Sequence, residues 1–277
     1  AFVPAVRNID NPIDISAVVE GILGDLNLTN LSIYYDTYQL IDGTLTIQGL
    51  PYINDSTCFR ADVNKIGVSP AIIQDFMSDL NNRPYVIPEI IERLGEVRYC
   101  GAAHGNSKNV WLSGGFTSSV GSVSTIGSLK KIVLNDSTHK GDFVFNGAIE
   151  TQQFQLGRLL AQDKMGNISL KVDADGKLDT LERINISANG KVSEFEYNGY
   201  AYQDLNINGN YNGHSFRGSL NMHDPHLWFD FDGMADWHSE DPRYNFNLNI
   251  SQLHPGELKL IEGDYADIQI RVNADIN

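Results

Sequence analysis

The chain has 277 residues, with 20 Lys or Arg and 35 Asp or Glu, and therefore a formal net charge of −15. This acidity argues against nucleic-acid binding and against electrostatic docking on anionic lipid headgroups, because both need concentrated basic side chains. Hydrophobic residues make up 42% of the chain, enough to bury a core. The two cysteines, Cys58 and Cys100, are too few for a disulfide scaffold, which leaves either one bridge or two isolated thiols.

Apolar and polar residues alternate with period two along most of the chain, and turn signals such as Asp42-Gly43 and Asn198-Gly199 separate the runs. Alternation places one face of a strand on apolar material and the other in water, so short strands with regular turns predict an antiparallel meander. We expect outward positions at Asn185, Ser187, Asn206, Asp230 and Asn247. The predicted inward positions are Leu45, Ile47, Phe143, Phe145, Ile168, Leu170, Val172, Ile184, Ile186, Leu205, Ile207, Leu227, Phe229, Phe231, Phe246, Leu248 and Ile250.

Residues 69–95 break the alternating pattern. Ser69 and Pro70 form a helix start, and apolar residues follow at helical spacing from residue 72 to residue 80. Pro88 opens a second short helix that Gly95 can end. We predict one continuous β segment over residues 1–277, with helix confined to an insertion at 69–95 that covers a sheet end or edge. The alternation continues to the last residues, so we expect a piece of a longer protein.

Two clusters raise the question of a metal site. Asp173, Asp175, Asp179 and Glu182 surround Gly176 as in a calcium loop, but Lys171 occupies the first ligand position and no helix pattern flanks the loop. His223 and His226 lie three residues apart beside an Asp-Pro turn, where solvated turn histidines are the simpler interpretation. The carboxylates are scattered, and no HExxH, GxSxG, P-loop or CxxC motif occurs. We therefore predict no metal, no cofactor and no catalytic residues.

Several stretches resemble the TamB-like proteins of the AsmA superfamily of Gram-negative bacteria, in the form found in Bacteroidetes. The resemblance covers most of the chain and is weakest before residue 40 and across the two helices. His226 departs from the pattern, because this family usually has Asn there. The stretches are LTIQGL at 45–50, DFVFNGAI at 142–149, FQLGRLL at 154–160, GNISLKV at 166–172, NGYAYQDLNING at 198–209, FRGSL at 216–220 and DPHLWFDFDG at 224–233.

The resemblance implies a long, twisted antiparallel sheet that curls into an open, apolar groove, the β-taco. It implies a periplasmic segment, anchored in the inner membrane by a part absent from this chain, that shelters phospholipid acyl chains on their way to the outer membrane. An older interpretation makes such proteins partners of an outer-membrane barrel in protein assembly. No catalytic residue is implied, because the role of the family depends on a surface.

Alternation alone does not distinguish an open groove from a closed sandwich, because both put apolar side chains on one face. The competing class is a surface adhesin or carbohydrate-binding module, whose aromatic side chains would face solvent. A polysaccharide-lyase type of enzyme comes third, since it needs Lys, Arg, His or Tyr clustered beside a carboxylate and the sequence has no clear cluster. The aromatics in question are Tyr197, Tyr200, Tyr202, Tyr211, Trp228 and Trp237.

Overall fold

A computed structural model describes residues 9, 11–132, 142–178, 184–238, 242–261, 263 and 267–276. Within these residues the chain forms fifteen strands and three helices. The strands are β1 (Ile13–Ile22), β2 (Asp25–Tyr35), β3 (Tyr38–Gln48), β4 (Cys58–Val68), β5 (Val97–Asn106), β6 (Asn109–Ser118), β7 (Gly121–Ile132), β8 (Asp142–Phe154), β9 (Met165–Leu178), β10 (Ile184–Tyr197), β11 (Tyr200–Tyr211), β12 (Ser215–Asp224), β13 (Leu227–Asp236), β14 (Arg243–Leu253) and β15 (Ile270–Ile276).

The strands lie side by side in chain order in one sheet, with β1 and β15 as the two edges of the part that the structure describes. Consecutive strands pair antiparallel, as the short connections require. Asn198 and Gly199 both have positive φ, 51° and 73°, so this predicted Asn-Gly turn has the left-handed backbone that tight hairpins need. The prediction of a mainly β, antiparallel meander is confirmed.

The helical insertion lies where the sequence predicted it. Helix α1 spans Pro70–Asn81, and the Ser69 side chain accepts a hydrogen bond from the Ile72 N–H at its start. Helix α2 spans Glu89–Leu94 and ends at Gly95, whose φ of 67° explains the glycine there. Helix α1 contacts the sheet through Phe76, whose ring lies against Tyr35 with 6.1 Å between ring centroids.

A third helix corrects the expectation that helix is confined to residues 69–95. Helix α3 spans Leu156–Leu160, directly after β8, and ends at Ala161 in the left-handed conformation. Five residues make little more than one turn, too short for a helical period to show in the sequence. Residues 140–250 are otherwise strand and turn wherever the structure describes them.

The chain divides into two compact units, residues 1–126 and residues 127–277, which we call unit 1 and unit 2. In unit 1 the buried apolar side chains include Leu31, Tyr35, Val63, Tyr99 and Val120. In unit 2 they include Val192, Met222 and Leu258. None of the described helices is long and apolar enough to cross a membrane.

Candidate functional site: the aliphatic face of unit 2

One face of unit 2 gathers the apolar side chains of its strands. Directly opposed residues of antiparallel strands share a face. Val192 lies opposite both Leu170 and Leu205, and Leu205 opposite Met222. The same ladder continues to Phe229, which faces Ile250, and Ile250 faces Ile270. We call the set the aliphatic face; its central members are Leu170, Val172, Ile186, Val192, Leu205, Ile207, Leu220, Met222, Phe229, Phe231, Phe246, Leu248, Ile250, Ile270 and Val272.

The register puts the inward positions predicted in unit 2 on this face. Their described side chains are half-buried: Phe145, Ile168, Leu170, Val172, Ile186, Leu205, Ile207, Leu227, Phe229, Phe231, Phe246, Leu248 and Ile250. Leu45 and Ile47 are also half-buried and lie in unit 1, opposite Leu28 and Leu26. The side chains of Phe143 and Ile184 lie outside those that the structure describes. A lipid-lining role for these residues stays a prediction.

The predicted outward positions lie on the opposite face, which we call the polar face. Asn185, Asn206, Asp230 and Asn247 are exposed, and Ser187 is half-buried. Amide side chains form cross-strand hydrogen bonds there. Asn210 Nδ2 donates to Asn185 Oδ1 at 2.7 Å, and Arg271 Nε donates to Asn249 Oδ1 at 3.1 Å.

A row of small residues crosses the aliphatic face. Ala188, Gly209, Gly218 and Gly233 lie opposite one another on successive strands β10 to β13. Gly218 has a φ of +149°, and a Cβ there would lie 2.4 Å from the Cα of Gly209. A Cβ on Gly209 would lie 2.7 Å from the Phe216 ring, which therefore lies over this glycine. The glycines therefore allow the close approach of neighbouring backbones and make room for the Phe216 ring.

A buried carboxylate lies at the end of the aliphatic face, where β12 turns into β13. Asp224 is fully buried and accepts hydrogen bonds from the Tyr200 hydroxyl at 2.5 Å and from the N–H groups of Gln203 and His226, each at 2.8 Å. Burial, and then the bond to Asp224, raises the pKa of Tyr200. Sequence reasoning read Asp224-Pro225 only as a turn and missed this carboxylate, although a Tyr-rich strand nearby was a usable signal.

Residues 254–261 cover that end of unit 2. Leu258 is fully buried, and the Lys259 carbonyl accepts a hydrogen bond from Asn198 Nδ2 at 2.7 Å. The Lys259 ammonium donates to the carbonyl of Gly199 in the β10–β11 turn. The segment therefore returns from the end of β14 to the start of β11, and we call it the closing segment.

The histidines are arranged differently from the pair that the sequence suggested. The His223 ring contacts Trp228 on the polar face, with 5.1 Å between ring centroids, whereas His226 Nδ1 lies 3.1 Å from Nδ1 of His254. His254 Nε2 in turn pairs with Asp267. The described residues contain no group of three or more His, Cys, Asp or Glu side chains that could hold a metal ion. Of the proposed calcium loop, Asp179 and Glu182 lie outside the described residues.

The polar face carries a surface depression of about 530 Å³. Its polar lining comes from Glu150, Lys171, Asn189, Lys191 and Asn206, and Lys171 Nζ lies 2.9 Å from a Glu150 carboxylate oxygen. Amide and charged groups suit a polar ligand better than a hydrocarbon chain. This depression therefore bears on the carbohydrate-binding alternative.

The aromatic side chains divide between the two environments that separate the competing functions. Trp228 and Trp237 are each 46% exposed, and Trp237 stacks on Tyr211 with 6.1 Å between ring centroids. Tyr197, Tyr200 and Tyr202 are half-buried. The aromatics at the start of β11 are thus half-buried, whereas Trp228 near the start of β13, and Tyr211 and Trp237 at the other end of the strands, are exposed.

Cys58 and Cys100 are free, exposed thiols, so the bridge that the sequence left open is not formed. No family model, no curated protein and no solved structure matches the chain.

Proposed function

We propose that the protein shelters the acyl chains of phospholipids on the aliphatic face of unit 2, as part of phospholipid transport toward the outer membrane of a Gram-negative cell. The observation that carries the proposal is the register, which brings apolar residues together on one face of successive antiparallel strands. A periplasmic location, an inner-membrane anchor outside this chain and a groove formed by the curled sheet belong to the same proposal.

The energetics favour reversible holding. Each methylene removed from water contributes about 0.8 kcal/mol, so a few acyl carbons suffice for useful binding that thermal motion can still reverse. Headgroups would stay in solvent, because a chain with a net charge of −15 offers phosphate no concentrated positive charge.

We propose a role without catalysis. A lyase needs Tyr or His side chains beside a carboxylate, and here the Tyr200 hydroxyl bonds Asp224, whereas His226 reaches Asp224 only through its backbone N–H. A tyrosine that acts as a base must ionise easily, however, and burial raises the pKa of Tyr200. Its hydroxyl is also occupied by the bond to Asp224. The cluster is better suited to hold the closing segment in place.

Site-specific photocrosslinking in the full-length protein in cells tests the proposal. A photoreactive residue at Phe229 or Leu248 should capture labelled phospholipid, and one at Asn206 on the polar face serves as the control. The variants Ile186→Arg and Phe229→Asp should lower capture at Leu248, because a charge beside hydrocarbon costs several kcal/mol unless it reaches water. Equal capture at all positions, or none, would refute the lipid role.

A second candidate function has its own support. The depression beside Lys171 and Asn206, together with the half-exposed Trp228, gives the polar face groups that recognise sugars. A carbohydrate-binding module would therefore use the face opposite to the one that we propose for lipid. Asn206→Ala and Lys171→Ala should then abolish binding on a glycan array, while Leu248→Ser leaves it unchanged.

A further inference from the structure

Four apolar side chains project from one end of unit 1. Ile22 and Leu23, at the β1–β2 turn, are 73% and 60% exposed. Tyr52 and Ile53, in the β3–β4 connection, are 79% and 73% exposed. The two connections are neighbours, because the Gly49 N–H donates a hydrogen bond to the Gly24 carbonyl at 2.9 Å. We call these four side chains the tip patch.

The connection that carries Tyr52 and Ile53 is ordered by its own hydrogen bonds. The N–H groups of Asn54 and Ser56 donate to Thr57 Oγ1 and Asn54 Oδ1, at 3.1 and 2.8 Å. The Thr57 hydroxyl donates to the Tyr52 carbonyl at 3.1 Å. The hydrogen bonds of the loop therefore keep the side chains of Tyr52 and Ile53 in water. Exposure of apolar side chains is unfavourable unless a partner covers them.

An ion pair lies at this end of unit 1, where the carboxylate of Asp25 is also exposed. Lys108, in the β5–β6 turn, lies 2.5 Å from a carboxylate oxygen of Asp55, and Ser107 donates to the same carboxylate at 3.3 Å. Three connections thus meet around a neutral ion pair, with the tip patch beside it. A zwitterionic headgroup layer has no net charge and does not repel Asp25, whereas an anionic surface would repel this carboxylate and the acidic chain as a whole.

We propose that the tip patch is a contact site for a lipid bilayer surface with zwitterionic headgroups, into which Leu23, Tyr52 and Ile53 insert. Aliphatic side chains with a tyrosine among them are the composition of protein segments at membrane interfaces. The tip patch projects from strand connections, and a fluid lipid surface can deform to contact all of its side chains. The choice of lipid over protein as the occupant rests on the proposed lipid-handling function.

The tip patch lies next to apolar residues of the sheet, so a bilayer contact there would bring those residues close to lipid. Immediately behind it, Leu26, Ile47 and Phe59 lie opposite one another on β2, β3 and β4 and form the last apolar row of unit 1 at this end. A bilayer that receives the tip patch would therefore meet an apolar row of the sheet at the depth of its acyl chains. Helices α1 and α2 lie at the other end of the same strands, where Phe76 contacts Tyr35.

Co-sedimentation of the purified chain with phosphatidylcholine vesicles tests this site. We expect the double variant Leu23→Asp/Ile53→Asp to lower the vesicle partition coefficient at least tenfold. Val86→Asp is the matched control, because Val86 is 84% exposed and lies in the α1–α2 connection. Its partitioning should equal that of the wild type, and an unchanged melting temperature would show that both variants fold.

Fluorescence quenching is a second test, and it needs only the replacement of one exposed aromatic side chain by another. In a Tyr52→Trp variant, brominated phosphatidylcholine should quench the added fluorescence, while the Val86→Trp variant shows no added quenching. Absence of wild-type co-sedimentation, or equal loss in the Val86 and tip variants, would overturn the proposal. It would also be overturned if wild-type chains self-associate and the tip variant abolishes this, because a second copy would then be the occupant.

The two proposals fail separately. If a photocrosslinker at Phe229 captures phospholipid but the chain does not co-sediment with vesicles, only the proposed bilayer contact is wrong. If vesicles bind through the tip patch while no position on the aliphatic face captures lipid, the contact stands and the acyl-chain role is wrong.

Discussion

Units 1 and 2 close one end of their sheets in different ways. In unit 1 helix α1 lies at the end of β2, where the Phe76 ring contacts Tyr35 and the Tyr35 hydroxyl donates a hydrogen bond to Asp79 at 3.3 Å. In unit 2 the irregular closing segment covers a fully buried carboxylate, Asp224, that receives three hydrogen bonds. Both units cover the end of an apolar face, but they do so differently. Unit 1 relies mainly on aromatic packing, whereas unit 2 uses a buried polar network.

This difference has a consequence for robustness. Apolar contacts degrade gradually when one side chain shrinks, because neighbours relax into part of the space. A buried polar network loses more when its central acceptor is removed, since each donor left behind is desolvated and unpaired. The end of unit 2 should therefore be the more sensitive of the two to a single substitution.

The largest effect is expected from Asp224→Ala in unit 2. It leaves the Tyr200 hydroxyl and two backbone N–H groups without their buried acceptor, so we expect a loss of about 3 kcal/mol in the free energy of unfolding. Chemical denaturation measures this loss. Asp232→Ala, at an exposed position of β13, is the control and should change stability by less than about 0.5 kcal/mol. Similar effects of both variants would show that the network does not stabilise unit 2.

A smaller effect is expected from Phe76→Ala in unit 1. Phe76 is half-buried, so its removal should cost about 2 kcal/mol, less than full burial of an aromatic ring would imply. The free energy of unfolding from urea titration gives the value. If Phe76→Ala destabilises the protein more than Asp224→Ala, the ranking of the two ends is reversed.

The pH dependence of unit 1 should come from a hydrogen-bonded group at the same end. Burial, and then the bond to Glu96, raises the pKa of Tyr38 from 10.0 to about 12. Hydrogen bonds from Arg98 and Tyr38 lower the pKa of Glu96 to about 2. The Tyr38 contribution to stability is therefore complete below pH 10 and lost as the pH rises toward 12, because the unfolded chain ionises first.

The Glu96 contribution has the opposite sign: it is present above the usual range of a glutamate and is lost as the pH falls toward 2. Melting temperatures recorded across both ranges test these statements. Tyr38→Phe should flatten the alkaline decline and Glu96→Gln the acid decline. The exposed Tyr52, changed to Phe, should leave both slopes as in the wild type.

The smallest effects are expected from ion pairs on the two surfaces. Lys171 pairs with Glu150 in unit 2, and Lys108 pairs with Asp55 in unit 1. All four side chains are largely hydrated, so Lys171→Ala and Lys108→Ala should each leave the free energy of unfolding unchanged within experimental error. A larger change in either variant, measured by urea titration, would mean that the pair helps to order its connection.

Much of the sheet was predictable because its signals are local. Alternation identified strands such as Leu227–Asp236, and the Ser69-Pro70 pair identified the start of α1. Helix α3 was missed because one turn leaves no period to detect. Local rules describe a residue and its near neighbours along the chain.

The end of unit 2 was not predictable because its contacts join residues that are far apart in the sequence. His226 and His254 are 28 residues apart and meet only because β13 and β14 pair in one register. Asp224 and Leu258 are 34 residues apart in the sequence, and both are fully buried at this end of unit 2. The sequence pattern does not show that the closing segment returns to this end. Sequence reasoning interpreted His223 and His226 as solvated turn histidines, and it gave no sign that the His226 ring lies beside His254 while His223 contacts Trp228.

The chain-order arrangement of the strands also affects how the protein is made. Because each strand pairs with the one before it, a strand that leaves the ribosome finds its partner already synthesised and only a short connection away. Loop closure between such neighbours has a low entropic cost, so the sheet can grow from its first strand while translation continues. Growth by addition also means that removing two consecutive strands preserves the antiparallel order and the side on which apolar residues lie. Length is thus a property that evolution can change in this architecture without redesigning the rest.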